Sequence, residues 1–357
     1  MRHIIRLTWN EFLLARSEMA VLLIAVFQPT LMFFLMSLVL VQPTFDVQVL
    51  PSGMAADEDL LRAMNTVGIQ SGVPYINPIL LEEPSFGLGS QYLHIENESG
   101  NPEVVQYFNL IDSNMVKNFR NRLTAAGLIL WNEELGSRAV EIREVPLLPI
   151  DVPYTVYFGL GMVPLAAFLA TIMVGASTTT HDYETDTILE YQLSPLAPAW
   201  ILAARIMRTV LIGWFASTVL FLMLWLLSGY APRFGILAAV ILFPICLIGS
   251  SLGVSIGLAI RRPLPAFVIS LASSFLFWLM GGAFGLPSGF NQGYELVSRF
   301  IPNTHAVELL FPMMYEINVG SPVLSVIILV LQSGLSLLLV YRLYRNRVAS
   351  SQEPNHA

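Results

Sequence analysis

Few residues in this chain are placed to do chemistry, and what is missing narrows the function. Gly249-Ser250-Ser251-Leu252-Gly253 fits the Gly-x-Ser-x-Gly pattern. In an α/β-hydrolase that pattern joins a strand to a helix and exposes a serine nucleophile. Here it lies inside an uncharged apolar run, with no acid or His in the run to activate Ser251. Gly249, Gly253 and Gly257 recur every four residues, which puts small residues on one helix face. Such a stripe lets a second helix pack closely, and packing is the favoured reading over catalysis. Lys117 is the chain's single Lys and no Gly-x-x-x-x-Gly-Lys loop surrounds it, so P-loop ATP hydrolysis is excluded. The five His residues (3, 94, 181, 305 and 356) are scattered, and Cys246 is alone. Neither a disulfide nor a zinc-protease spacing is present, and no metal site is expected.

The most informative stretch is acidic. Residues 181–196 carry Asp182, Glu184, Asp186 and Glu190, and no Lys or Arg occurs between Arg143 and Arg205. By the topology below, this segment is cytoplasmic, where Lys and Arg normally dominate. An acidic amphipathic helix that breaks the bias suits docking to a basic partner. Its acids near the N-terminus agree with the helix dipole. Ile188, Tyr191 and Leu193 are the expected apolar anchors, with the acids setting register.

The elements that must position these residues follow from hydropathy. The chain has 357 residues, 55% hydrophobic and only 12% charged; a soluble domain is roughly 25% charged. The expected fold is an α-helical polytopic membrane protein with six transmembrane helices and an α+β extracytoplasmic domain between the first and second. An amphipathic interfacial helix is expected at 1–19, from the helical spacing of Ile5, Trp9, Phe12 and Leu13. Spans are expected at 20–41, 152–180, 205–230, 234–260, 263–284 and 322–342, since about 20 apolar residues cross a bilayer. The extracytoplasmic domain is 42–151, the coupling segment 181–204, an outer re-entrant hairpin 285–321, and a cytoplasmic tail 343–357. Within 42–151, strands are expected at 45–50, 91–95 and 139–144. Helices are expected at 57–66 and 112–135, the latter capped by Asp112. Asn97-Glu98-Ser99 matches a glycosylation acceptor, a pattern common by chance.

Arginines at 2, 6, 16, 205, 208, 261, 262, 342, 345 and 347 fall in segments on one side. Both termini are therefore expected in the cytoplasm, with the chain multi-pass in the inner or plasma membrane. The cores of the expected spans carry no charge, which argues against proton or sodium coupling. Gln28, Thr171, Thr218 and Gln332 are the most polar candidates there, read as helix–helix contacts. His305 and Glu308, in the hairpin, are the candidates for an exit gate, against a solvated interfacial loop.

Over essentially its whole length the chain resembles the permease subunits of ABC exporters of the type-2 membrane family. The resemblance rests on the order of elements and on the acidic segment. Asp182 and Glu184 match the family's acidic stretch, Thr187 its Thr, and Ser194-Pro195-Leu196 its ending. Asp186 stands where Gly is usual, an expected Arg is missing, and Glu190 is displaced by one. Glu11 with Arg16, and Ile301-Pro302-Asn303-Thr304, are also similar to the family.

The resemblance implies a coupling and ATPase-docking site at Asp182, Tyr183, Glu184, Asp186, Thr187, Ile188, Glu190, Tyr191, Ser194 and Pro195. It implies a separate cytoplasmic ABC ATPase subunit that binds ATP and Mg, with no cofactor bound by this chain. A second permease chain is implied too, a homodimer being favoured over a heterodimer. Membrane lipid is the remaining partner and no nucleic acid is expected. The expected function is ATP-driven export of a hydrophobic or amphipathic substrate, without enzymatic activity of the chain's own. The alternative is a membrane-anchored sensor or scaffold acting through the 42–151 domain.

Overall fold

The computed structural model describes residues 2–14, 19–40, 45–50, 55–67, 74–80, 91–96, 103–108, 121–130, 154–229, 235–282, 292–315 and 323–350. The expected strand at 139–144, the Asp112 cap, Asn97–Ser99 and residues 351–357 of the tail lie outside these residues. The chain divides into two compact units, residues 38–147 and the remainder.

In the helical unit, α1 (Arg2–Leu14) precedes α2 (Met19–Leu40). After the insertion come α5 (Tyr154–Glu184), α6 (Thr187–Leu193), α7 (Pro198–Ser228), α8 (Gly235–Ile260) and α9 (Pro263–Met280). The short α10 (Gln292–Ser298) and α11 (Pro302–Tyr315) lead to α12 (Val323–Ser350). Among the described residues, six helices are long and apolar enough to cross a membrane: α2, α5, α7, α8, α9 and α12. This is a polytopic membrane protein.

Helix α5 is the axis of the bundle. It is apolar all round, as a helix buried on every side should be, and its most apolar stretch is wholly buried. It packs against α7, α8 and α9, and α12 closes over α8 and α7. The α5–α8 seam is set by glycine. A Cβ on Gly249 would strike Thr171, one on Gly253 would strike the Ile172 carbonyl, and one on Gly257 would strike Thr179 and Ala176. Gly213 of α7 meets the same Thr171, so three helices converge where that hydroxyl turns back to the Ala167 carbonyl at 2.9 Å. On α9, Ala266, Ser270, Ser274 and Trp278 form a buried stripe at four-residue spacing. The Trp278 indole donates to the Gly161 carbonyl at 2.9 Å.

Two boundaries beside the coupling segment differ from the sequence reading, and α12 runs on to Ser350 rather than ending at 342. Helix α5 runs on through Glu184 rather than ending near 180, and α7 starts at Pro198 rather than 205. Proline at the first helical position needs no amide partner, so it begins the helix before the apolar run does. Arg205 and Arg208, expected at the very start of the span, therefore lie about two turns or more inside a helix.

The second unit holds β1 (Phe45–Leu50), α3 (Ala55–Thr66), β2 (Ile76–Leu80), β3 (Gln91–Glu96) and β4 (Glu103–Phe108), with helix α4 at residues 121–130. The sheet order is β2-β1-β3-β4. Strand β1 is parallel to both β2 and β3, while β3 and β4 are antiparallel. Val47 and Val49, two apart on β1, point into a core with Leu60, Met64, Ile76, Leu93 and Ala126. Alternation along a strand places them on one face.

Candidate functional site

The functional residues gather at the end of the bundle where α5 hands over to α7. Asp182 lies in the last turn of α5, and Arg205 lies seven residues into α7. The Arg205 guanidinium forms an ion pair with the Asp182 carboxylate at 2.5 Å. Arg205 also stands 3.8 Å from the Glu11 carboxylate of α1, and Arg208 stands 3.3 Å from it. Arg205 and Arg208 are three apart and so share a helix face, with Glu11 lodged between them. Arg205 donates further to the Thr179 hydroxyl at 3.5 Å. Two carboxylates and two guanidiniums thus form a formally neutral quartet with its members no more than 6% exposed. Taking any one away would strand an unpaired buried charge.

The quartet explains how α1 is held. Its apolar residues Ile5, Trp9 and Leu13 are exposed, while Thr8 and Glu11 are buried. The helix docks to α7 by its polar side and leaves its apolar side outward, as an interfacial helix requires. Aromatic rings complete the cluster. Tyr191 of α6 lies 5.7 Å from the Arg205 guanidinium, and burial pushes its phenol well above the usual value. Tyr344 of α12 is buried nearby. The Tyr183 ring carries Arg261 at 5.1 Å. Arg261 ends α8 in the left-handed region (φ 56°).

The α5–α6 turn accounts for the departure at Asp186. Its φ is 55°, a conformation that Gly takes freely and Asp tolerates better than most residues. Beside it, the Thr185 hydroxyl reaches the His181 carbonyl at 2.9 Å and the Thr187 hydroxyl at 2.8 Å. Ser194 accepts from the Leu196 amide at 3.2 Å, closing the turn into α7.

The expected docking residues divide into two faces. Asp182 and Ile188 are buried, and Tyr183, Thr187, Tyr191 and Ser194 are half-buried; Glu184, Asp186, Glu190 and Pro195 are exposed. On α6 the exposed apolar residues are Leu189 and Leu193, the latter 87% exposed, so Ile188 and Tyr191 are inner supports rather than outer anchors. Asp186, Leu189, Glu190 and Leu193 follow helical spacing on one face. The dipole argument is corrected as well. Asp182 and Glu184 sit at the C-terminal end of α5, where the dipole disfavours a carboxylate, and Arg205 compensates Asp182.

At the opposite end of the bundle, His305 is buried on α11. Its Nδ1 faces Glu308 at 3.2 Å and its Nε2 faces the Arg299 carbonyl at 2.9 Å. The Ser325 hydroxyl of α12 donates to the same Glu308 at 2.6 Å. Burial opposes a charged imidazole, but the bonds to Glu308 and to the Arg299 carbonyl outweigh it, and the His305 pKa is raised. The bond from His305 holds Glu308 below its usual value. These residues tie α11 to α12. Gln332 of α12 adds a bond to the Phe300 carbonyl at 3.1 Å.

The Ser251 motif lies within α8, and the Ser251 hydroxyl is buried without a hydrogen-bond partner. It has neither the turn nor the base that a nucleophile needs.

Sequence reasoning missed the roles of Arg205 and Arg208. The signal was their three-residue spacing just inside an apolar run, with Pro198 upstream to start the helix. No curated protein matches this chain. The family described as ABC-2 family transporter protein matches residues 58–342, a stretch that includes α5 to α11 and most of α12. The chain belongs to the ABC-2 transporter family.

Proposed function

We propose that this chain is the transmembrane permease subunit of an ATP-driven exporter. It moves a hydrophobic or amphipathic substrate out of the cytoplasm or the adjoining leaflet. A separate cytoplasmic ATPase binds ATP and Mg and docks at the α5–α7 end, and the permease works as a dimer. The observation that carries this reading is the outward face of α6. Leu189 and Leu193 form an exposed apolar pair beside Asp186 and Glu190, on a helix braced from behind by Tyr191 against Arg205.

That arrangement suits force transmission. A push on α6 passes through Tyr191 to Arg205, and from there to α5, α7 and α1 together. Buried carboxylates in the described spans sit at this end, paired with Arg, rather than at mid-membrane where proton relays are built. The energy is supplied from outside the chain.

The test is purification of the tagged full-length protein from its native membrane in mild detergent. A stoichiometric soluble subunit carrying a P-loop is expected. A permease that emerges alone, at several salt concentrations and with or without ATP, would overturn the reading.

A further inference from the structure

A furrow of about 310 Å³ runs between α7, α8 and α12. On α7 it is lined by Ala199, Leu202, Ala203, Ile206, Met207 and Val210, a single stripe at helical spacing. Eleven residues separate its ends, roughly 16 Å at the helix rise. That is about half the ~30 Å hydrocarbon thickness, the depth of one leaflet. Phe243 and Leu247 of α8 and Leu337 and Tyr341 of α12 line the rest. An extended hydrocarbon chain has the apolar character and the length to lie along this stripe.

The mouth has a charge. Tyr341 borders the furrow, and the Arg345 guanidinium lies 5.9 Å from its ring. Arg342 is exposed beside it, and Trp200, 47% exposed, stands at the start of α7. Trp and Tyr settle at headgroup depth, and guanidinium groups favour phosphate oxygens. We propose that this furrow is a binding site for one resident anionic phospholipid of the leaflet at the α5–α7 end. An acyl chain lies along α7, and the headgroup phosphate rests between Arg342 and Arg345. The lipid is a structural ligand rather than cargo. It bridges α12 to α7, the helix that carries Arg205.

The test uses the full-length protein, exchanged into detergent with phosphatidylglycerol or phosphatidylcholine of identical chains. Retained lipid is counted by native mass spectrometry. Preferential retention of one phosphatidylglycerol is expected. Arg342→Gln with Arg345→Gln should lower that retention on the order of tenfold or more, to the phosphatidylcholine level. Both Arg side chains are exposed, and an unchanged thermal midpoint in detergent checks that the variant keeps its fold. Ala203→Phe, which fills the furrow, should lower retention of both lipids, and Leu337→Phe repeats the test from α12. Equal retention of the two lipids by the unaltered protein would overturn the proposal, as would retention indifferent to all these changes. A dimer that forms without lipid and is lost in Ala203→Phe would overturn it too, by making a second copy the occupant.

Discussion

The two ends of the bundle both hold charge, but in different ways. At the α5–α7 end, Glu11, Asp182, Arg205 and Arg208 are buried together as a neutral set. At the hairpin end, His305 is buried while Glu308 keeps 43% of its side chain exposed, and the pair titrates. The first arrangement is a fixed joint: four charges on three helices must stay together or none is satisfied. The second is a tether that a proton can tighten or loosen. On the proposed function, force enters at the first end and cargo leaves at the other, which calls for a stiff input and a yielding output.

The largest expected effect comes from breaking the joint. Arg205→Ala leaves Asp182 and Glu11 without their shared partner, and should cost about 3–5 kcal/mol. Thermal unfolding in detergent measures it, and an unchanged midpoint would show that the quartet is not a unit. Next is the seam behind it. Gly253→Ala drives a methyl into the Ile172 carbonyl, a backbone atom that cannot swing aside, and should cost about 1–3 kcal/mol. The same change at Gly127, where a Cβ meets nothing within 4 Å, should be harmless.

The hairpin should respond to pH. His305 has a raised pKa, so its contribution is complete below about 6.5, the usual unfolded value, and fades as pH rises through the folded value. Glu308 has a lowered pKa, so its contribution is present above about 4.3 and is lost as pH falls through its folded value. The tether is therefore tightest at mildly acidic pH and loosens on the alkaline side. A spin-label distance between α11 and α12 should lengthen as pH rises, and His305→Gln should remove that limb. Ser325→Ala should weaken the tether by about 1 kcal/mol.

Much of this fold is legible in the sequence, because a helix that meets lipid must be apolar over its whole length. The exposed leucines of α2, α9 and α12 carry that signal. Strand β1 is legible from Val47 and Val49, while β2, with Pro78 inside it, and β4 go unread. Pairing is the harder part. Asp182 looks like a docking acid because nothing local marks it as buried; its partner, Arg205, is 23 residues away in sequence, and Glu11 is farther still. Asp186 looks like a flaw in a motif, and its positive φ shows why Gly is usual there. The smallest expected effect concerns the serine motif. Ser251→Ala removes an unpartnered buried hydroxyl and should change stability by less than about 1 kcal/mol, with transport unaltered.

On the proposed function, the outward face of α6 takes the force and its inward face passes it on. The most direct measurement is retention of the ATPase subunit by Leu189→Glu with Leu193→Glu, compared with the unaltered protein at equal thermal stability. Both leucines are exposed, so the fold should stand while the partner, and ATP-driven transport with it, is lost. Full retention of the partner and of transport by this folded variant would contradict the account.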